Sequence, residues 1–244
     1  MLFRSRGRDR LQRAIVVPAV HADRFTVSSF TGSIGYMPTI YDISPLIGES
    51  LAVWPGDTPP RREILLDLAR GDSVTLSTLN ATVHLGAHAD APSHYRMFAP
   101  SIDQRPLELY VGPCQVIAVN VPRGGLIRPS SLPGQFRAER VLLATGTFPD
   151  PTRFNPDFAA LDPSVVGHLH SHGVRLVGID TPSVDLLESK DLLAHQAFFE
   201  YEVAILEGLV LAGVPEGLYE LIALPLRLAG FDASPVRAIL RTMT

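Results

Sequence analysis

Residues 84–95, His84-Leu85-Gly86-Ala87-His88-Ala89-Asp90-Ala91-Pro92-Ser93-His94-Tyr95, place three of the chain's eight histidines and one aspartate at even-numbered positions. On an extended or gently bent segment, side chains at even spacings leave the backbone on one face. On a helix, 84 and 88 would sit together while 90 and 94 swing roughly a third of a turn away. Imidazole and carboxylate donors gathered in this way suit a divalent cation. Imidazole nitrogen binds zinc at about 2.0–2.1 Å, so donors sharing one ion lie only a few ångströms apart. Four residues of straight strand span roughly 13 Å, so His84 and His88 converge only if the chain curls between them. Gly86 makes that curl sterically easy, and Pro92 redirects the chain so that His94 faces the same space. The stretch reads as a metal-binding loop at the end of a strand. A lone histidine is usually a surface or hydrogen-bonded core residue; three with an aspartate, interleaved with Gly, Ala and Pro, point to a metal.

A second group of possible donors comes late. Glu207 follows the apolar run Val203-Ala204-Ile205-Leu206 and opens another, Leu209-Val210-Leu211. A carboxylate there must be exposed at a turn or paired, because burying it alone is very unfavourable. A metal is one such partner. The residues alone leave open whether Glu207 and the upstream His195 are ligands. His168, His170 and His172 do not share one helical face and read as a solvated surface. The single cysteine, Cys114, has no internal disulfide partner and lies in an apolar run, as a buried, inert thiol would. The chain has no G-x-G-x-x-G, G-x-x-x-x-G-K-[ST] or G-x-S-x-G motif, which weighs against dinucleotide, P-loop and serine-hydrolase chemistry.

The elements that must carry these groups are mostly strands. Ile40/Ile43, Leu51–Trp54, Glu63–Leu68 and Ser73–Val83 are short apolar or alternating segments divided by turn residues. Ser73–Val83 leads into the histidine stretch. Trp54 sits in the rigid loop Trp54-Pro55-Gly56-Asp57, as a core residue or as an aromatic wall over a pocket. Val116–Val121 and Val141–Thr145 read as buried strands. Asp162-Pro163 signals a helix start, giving a helix over 163–172 that closes at Gly173, then a strand over 175–179 in a β–α–β unit. A strand over 203–206 and closing strands over 218–224 and 236–243 complete the pattern.

The chain has 244 residues, enough for one large core or two small ones. Its net charge of −4 offers no basis for nucleic-acid binding. No apolar stretch reaches the roughly 18 residues of a membrane span, so a cytoplasmic location is expected. Residues 1–36 crowd five arginines into the first thirteen positions and fill most of 26–35 with Ser, Thr and Gly. They read as a disordered extension before a single domain spanning 37–244, with the functional protein starting near Met37.

Residues 84–94 resemble the signature H-x-G-T-H-x-D-x-P-x-H of the cyclase family of metal-dependent hydrolases, with Ala87 where threonine is usual. Further pieces make the chain most similar to the family's bacterial kynurenine formamidases: Tyr41-Asp42-Ile43-Ser44, Val53-Trp54-Pro55-Gly56-Asp57, Gly178-Ile179-Asp180-Thr181-Pro182-Ser183, Ser189-Lys190 through Ala194-His195, and Ile205-Leu206-Glu207-Gly208. The resemblance implies an α/β fold, a swivelling β/β/α domain with a mixed sheet, assembled as a homodimer. It implies two zinc ions: His84 and His88 on the first, Asp90 and Glu207 bridging both, and His195 completing the second. His94 would be the acid/base and Trp54 would line the substrate pocket. The implied reaction is hydrolysis of N-formyl-L-kynurenine to L-kynurenine and formate in tryptophan degradation. Two alternatives stand beside it: a single-metal opening of a cyclic amide, as in the related isatin hydrolases, and a non-catalytic zinc-binding module. Structural zinc sites are usually closed four-ligand sets rich in cysteine, and a cysteine-free set with surplus donors does not suit one.

Overall fold

Short apolar runs bounded by Gly, Pro and Asp become strands here, and most of them join one sheet. The structure, a computed structural model, describes residues 21–26 and 38–243. In chain order the strands are β1 (Asp23–Thr26), β2 (Thr39–Asp42), β3 (Arg61–Leu66), β4 (Leu76–Asn80), β5 (His88–Asp90), β6 (Val111–Ala118) and β7 (Leu126–Ile127). After them come β8 (Arg140–Ala144), β9 (Ala160–Leu161), helix α1 (Ser164–Ser171), β10 (Leu176–Ile179), helix α2 (Leu193–Glu200), β11 (Ala204–Glu207), β12 (Gly217–Ile222), β13 (Ala233–Pro235) and β14 (Ile239–Thr242). Ten strands form one mixed sheet in the order β1-β2-β14-β12-β6-β8-β10-β11-β5-β13, while β3 with β4 and β7 with β9 pair separately. This is the mixed-sheet α/β architecture expected from the sequence.

Four parallel strands, β6, β8, β10 and β11, form the middle of the sheet, and apolar side chains cover both their faces. Val141, Leu143, Val177, Ile179 and Ile205 pack against Val165, Val166 and Leu169 of α1 and Ala194, Ala197 and Phe198 of α2. Leu142, Leu176, Ala204 and Leu206 point the other way, into a second core with Cys114, Tyr110, Leu221 and Leu240. Alternation along a strand produces this division. Strand β5 runs antiparallel to β11 with Asp90 opposite Ile205 and His88 opposite Glu207. His88, Asp90 and Glu207 therefore emerge on the helix-covered face, and Ala89 and Leu206 on the other.

Several elements differ from the sequence reading. The histidine stretch is not only a loop after a strand: its centre, β5, is an interior strand between β11 and β13. The segment expected to lead into it is shorter, Leu76–Asn80, and forms a hairpin with β3 rather than joining the main sheet. Leu51–Trp54 forms no strand, and α2 stands where no helix was expected. Within the stretch read as disordered, Asp23–Thr26 adds an edge strand to β2; its other residues up to 36, and Met37, lie outside the described residues, apart from His21 and Ala22. The expected helix is present as α1. The Asp162 carboxylate accepts from the Ser164 amide at 3.0 Å and starts it. Cys114 is buried, and burial pushes its thiol pKa up.

Candidate metal centre

Gly86 has φ +57°, the left-handed turn that glycine adopts without strain. This turn brings His84 back beside His88, with ring centroids 5.0 Å apart. The Gly86 carbonyl accepts the His88 Nδ1 proton at 2.8 Å, which leaves Nε2 as the bare nitrogen. Nε2 lies 3.5 Å from Asp90 Oδ1 and 3.3 Å from Glu207 Oε2. Pro92 begins a short 3-10 turn over Pro92–His94 that turns the His94 ring onto the His84 ring, 4.1 Å between centroids.

Helix α2 supplies His195. The Leu192 position before it has φ +47° and no side-chain cap. The cap comes from Asp185, whose carboxylate accepts from the amides of Ala194 and His195 at 3.1 and 3.0 Å. The same carboxylate accepts from His195 Nδ1 at 2.7 Å. His195 Nε2 then faces Asp90 Oδ2 at 3.4 Å and Glu207 Oε1 at 3.6 Å. Fully buried Phe198 holds the helix on the sheet, a contribution of about 1.5–3 kcal/mol that also keeps His195 in register.

All five sequence-derived ligand candidates thus meet in one place: His84, His88, Asp90, His195 and Glu207. His94 and Trp54 share the cavity above them. Three observations suit a cation. First, His88 Nε2 and both Asp90 carboxylate oxygens are buried with no hydrogen-bond partner among the described residues, an arrangement that is unfavourable unless something else pairs them. Second, the donor separations of 3.1 to 3.6 Å match the roughly 3.3 Å edge of a tetrahedron of ligands about 2.0–2.1 Å from a metal. Third, each histidine has one ring nitrogen aimed at the cluster while the other meets an acceptor, as metal-binding histidines do. The acceptors are Gly86 for His88, Asp185 for His195 and Asp232 for His84, the last at 3.0 Å. Both carboxylates also straddle the cluster. Asp90 turns Oδ1 to His84, at 3.1 Å, and Oδ2 to His195; Glu207 turns Oε2 to His88 and Oε1 to His195.

The electrostatics follow from this crowding. Burial would lower the His195 pKa, but Asp185, Asp90 and Glu207 outweigh it and raise it to about 10. At His84 burial is likewise overcome, by Asp90 and Asp232, giving about 9. Burial would raise the Asp90 carboxyl, yet His195 and His84 hold it well below the usual carboxylate range. His94 is lowered by its burial and by the neighbouring imidazoles, against the pull of Asp90.

The cavity over the cluster has a volume of about 1070 Å³. Trp54, Phe148 and Phe154 line one side of it, with Trp54 edge-on to Phe154 at 5.8 Å. Trp54 is half-buried and so serves both readings made of it, packing and wall. Asp180 also lines the cavity, but its carboxylate is occupied by the amides of Thr145 and Gly146 and fastens that loop. The His168 and His172 rings lie 4.6 Å apart, each edge-on to Phe136, and both are absent from this cavity's lining.

Sequence reasoning missed Asp185 and Asp232. Asp185 lies only two residues beyond the quoted Thr181-Pro182-Ser183 segment. Asp232 stands 148 residues from the His84 that it contacts, in a turn with no local signal of its role.

The Cyclase family model matches residues 41–186, which includes Trp54 and the four positions 84, 88, 90 and 94. Among solved structures, the chain is similar to one described as a potential metal-dependent hydrolase with cyclase activity, at 27% identity and TM-score 0.74. That alignment covers 85% of this chain and 99% of the other. A predicted metal-dependent hydrolase from Bacillus stearothermophilus aligns at 29% identity and TM-score 0.71, covering 84% and 98%. Isatin hydrolase A from Labrenzia aggregata, at 20% identity and TM-score 0.67 over 85% and 94% of the two chains, shares the fold.

Proposed function

The chain belongs to the Cyclase family and is a metal-dependent hydrolase of that family, and from that premise we propose that it hydrolyses N-formyl-L-kynurenine to L-kynurenine and formate. The observation that carries the reading is the convergence of three imidazole nitrogens and two straddling carboxylates beneath a cavity with an aromatic wall. A formamide carbonyl is a weak electrophile and water a weak nucleophile. Divalent cations held by His84, His88, His195, Asp90 and Glu207 would supply Lewis acidity, which lowers the pKa of water from 15.7 to about 7. Imidazole and carboxylate donors suit zinc among other first-row ions, and carboxylates that present one oxygen to each side support two ions rather than one.

In this reading His94 is the acid/base. It faces the cavity beside the cluster, and its Nδ1 lies 3.4 Å from Asp232 Oδ2. It takes a proton from the attacking water and returns it to the aniline nitrogen as the carbon–nitrogen bond breaks. Water and the formamide thereby become formate and the free arylamine. Trp54, Phe148 and Phe154 take the aryl ring. Association into a homodimer belongs to the same proposal, and exposed apolar residues on the β3–β4 hairpin, Leu65, Leu76 and Leu79 among them, support it; sedimentation reads the mass directly.

The test is metal quantification on the purified protein together with formate release from N-formyl-L-kynurenine. Two ions per chain and rapid formate release are expected. Replacing His94 by Ala should leave metal content intact and lower kcat by about 10²- to 10⁴-fold. Full activity in that variant removes His94 from the mechanism. One ion per chain with turnover of isatin, and none of the formamide, replaces this reading with cyclic-amide hydrolysis.

A further inference from the structure

Lys190 is the single lysine of the chain; every other basic residue apart from histidine is arginine. It lines the cavity above the donor cluster, where it is the only lysine or arginine among the described residues. The carboxylates of Asp57, Asp180, Glu207 and Asp232 share that lining. No carboxylate of the described residues lies within 4.0 Å of the Lys190 ammonium, so nothing described neutralises it. Its position is not that of a side chain on an untethered tip. The preceding Ser189 donates its hydroxyl to Asp185 Oδ1 at 3.4 Å, and Asp185 is the carboxylate that orients His195. Leu186, Leu187 and Leu192 line the cavity on either side of it in sequence.

Away from the donor cluster, the described lining on either side of Lys190 in sequence is apolar or uncharged, and a charge-assisted hydrogen bond from an ammonium to a carboxylate is the strong kind. We propose that Lys190 anchors a carboxylate carried by the substrate, so that the site selects aryl formamides bearing an amino-acid side chain over aryl formamides that lack a carboxylate. This rests on the amide-hydrolysis reading given above.

The test compares two substrates of the holoenzyme, N-formyl-L-kynurenine and N-formyl-2-aminoacetophenone, which keeps the aryl ketone and formamide but lacks the amino-acid ammonium and carboxylate. Loss of a cation at 190 can weaken only the contact to the carboxylate. In Lys190→Met the ratio of their kcat/KM values should shift against the carboxylate-bearing substrate by about ten- to a hundredfold, mainly through its KM. Lys190→Arg should retain most of the wild-type ratio. Lys190→Gln gives the same comparison should the Met variant fail to fold. A ratio unchanged in the Met or Gln variant, while wild type hydrolyses both formamides, overturns the anchor and leaves amide hydrolysis standing. Wild-type protein that hydrolyses neither formamide overturns both.

Discussion

Asp185 performs two tasks with one carboxylate: it caps α2 through two amides and fixes the His195 ring through Nδ1. Without it, His195 is free to rotate or to present the wrong nitrogen, and the helix start loses its acceptor. Asp185→Ala is therefore expected to weaken metal affinity about 10- to 100-fold, as loss of a ligand-orienting group does, and to lower stability by about 1 kcal/mol through the lost cap. A chelator-competition titration measures the first effect; affinity within twofold of wild type would show that His195 needs no such support. At this scale the sequence was most legible where spacing was short. His84, His88, Asp90 and His94 could be grouped from their even spacing together with the turns that Gly86 and Pro92 permit. Asp185 and Asp232 could not, because an orienting carboxylate has no fixed spacing from the ring it holds.

Gly86 and Gly208 join the elements of the site at one point of contact. Gly208 has φ +65°, and a Cβ there would stand 2.2 Å from the Gly86 carbonyl oxygen, the atom that accepts from His88 Nδ1. Gly208→Ala should destabilise the fold by more than about 1 kcal/mol, because an L residue is strained at that φ and the carbonyl must move. It should also reduce metal content, since His88 loses its fixed tautomer. Thermal unfolding and metal analysis read the two effects, and an unaltered Tm with full metal content would refute the coupling. Strands β8, β10 and β11 were readable as apolar runs because both their faces are buried. Helix α2 was not: its first turn is capped from across a loop rather than by the residue before it.

In the metal-free protein, protons on His84 and His195 take the place of a cation among the carboxylates. Their pKa values are raised from 6.5 to about 9 and about 10. A group whose folded pKa lies above its unfolded value stabilises the fold fully below the unfolded pKa and loses that contribution as pH rises through the folded one. The metal-free protein should therefore lose stability between about pH 6.5 and pH 10. The loaded protein should be flatter over that range, because a bound cation holds the carboxylates without protons. Denaturant midpoints across this range, with and without chelator, test it; parallel curves would mean that a cation does not occupy this cluster.

The sequence by itself determined a curled, even-spaced histidine and aspartate segment and a strand-rich chain, because neighbouring residues fix backbone alternation and turns. The residues by themselves left His195 and Glu207 open, the family resemblance implied them, and the tertiary structure is what brought both to the cluster. It did so through the antiparallel register of β5 on β11, which sets Glu207 opposite His88, and through the packing of α2 on the same sheet face. Register and helix docking are set by the summed burial of two cores, and no local spacing encodes that sum.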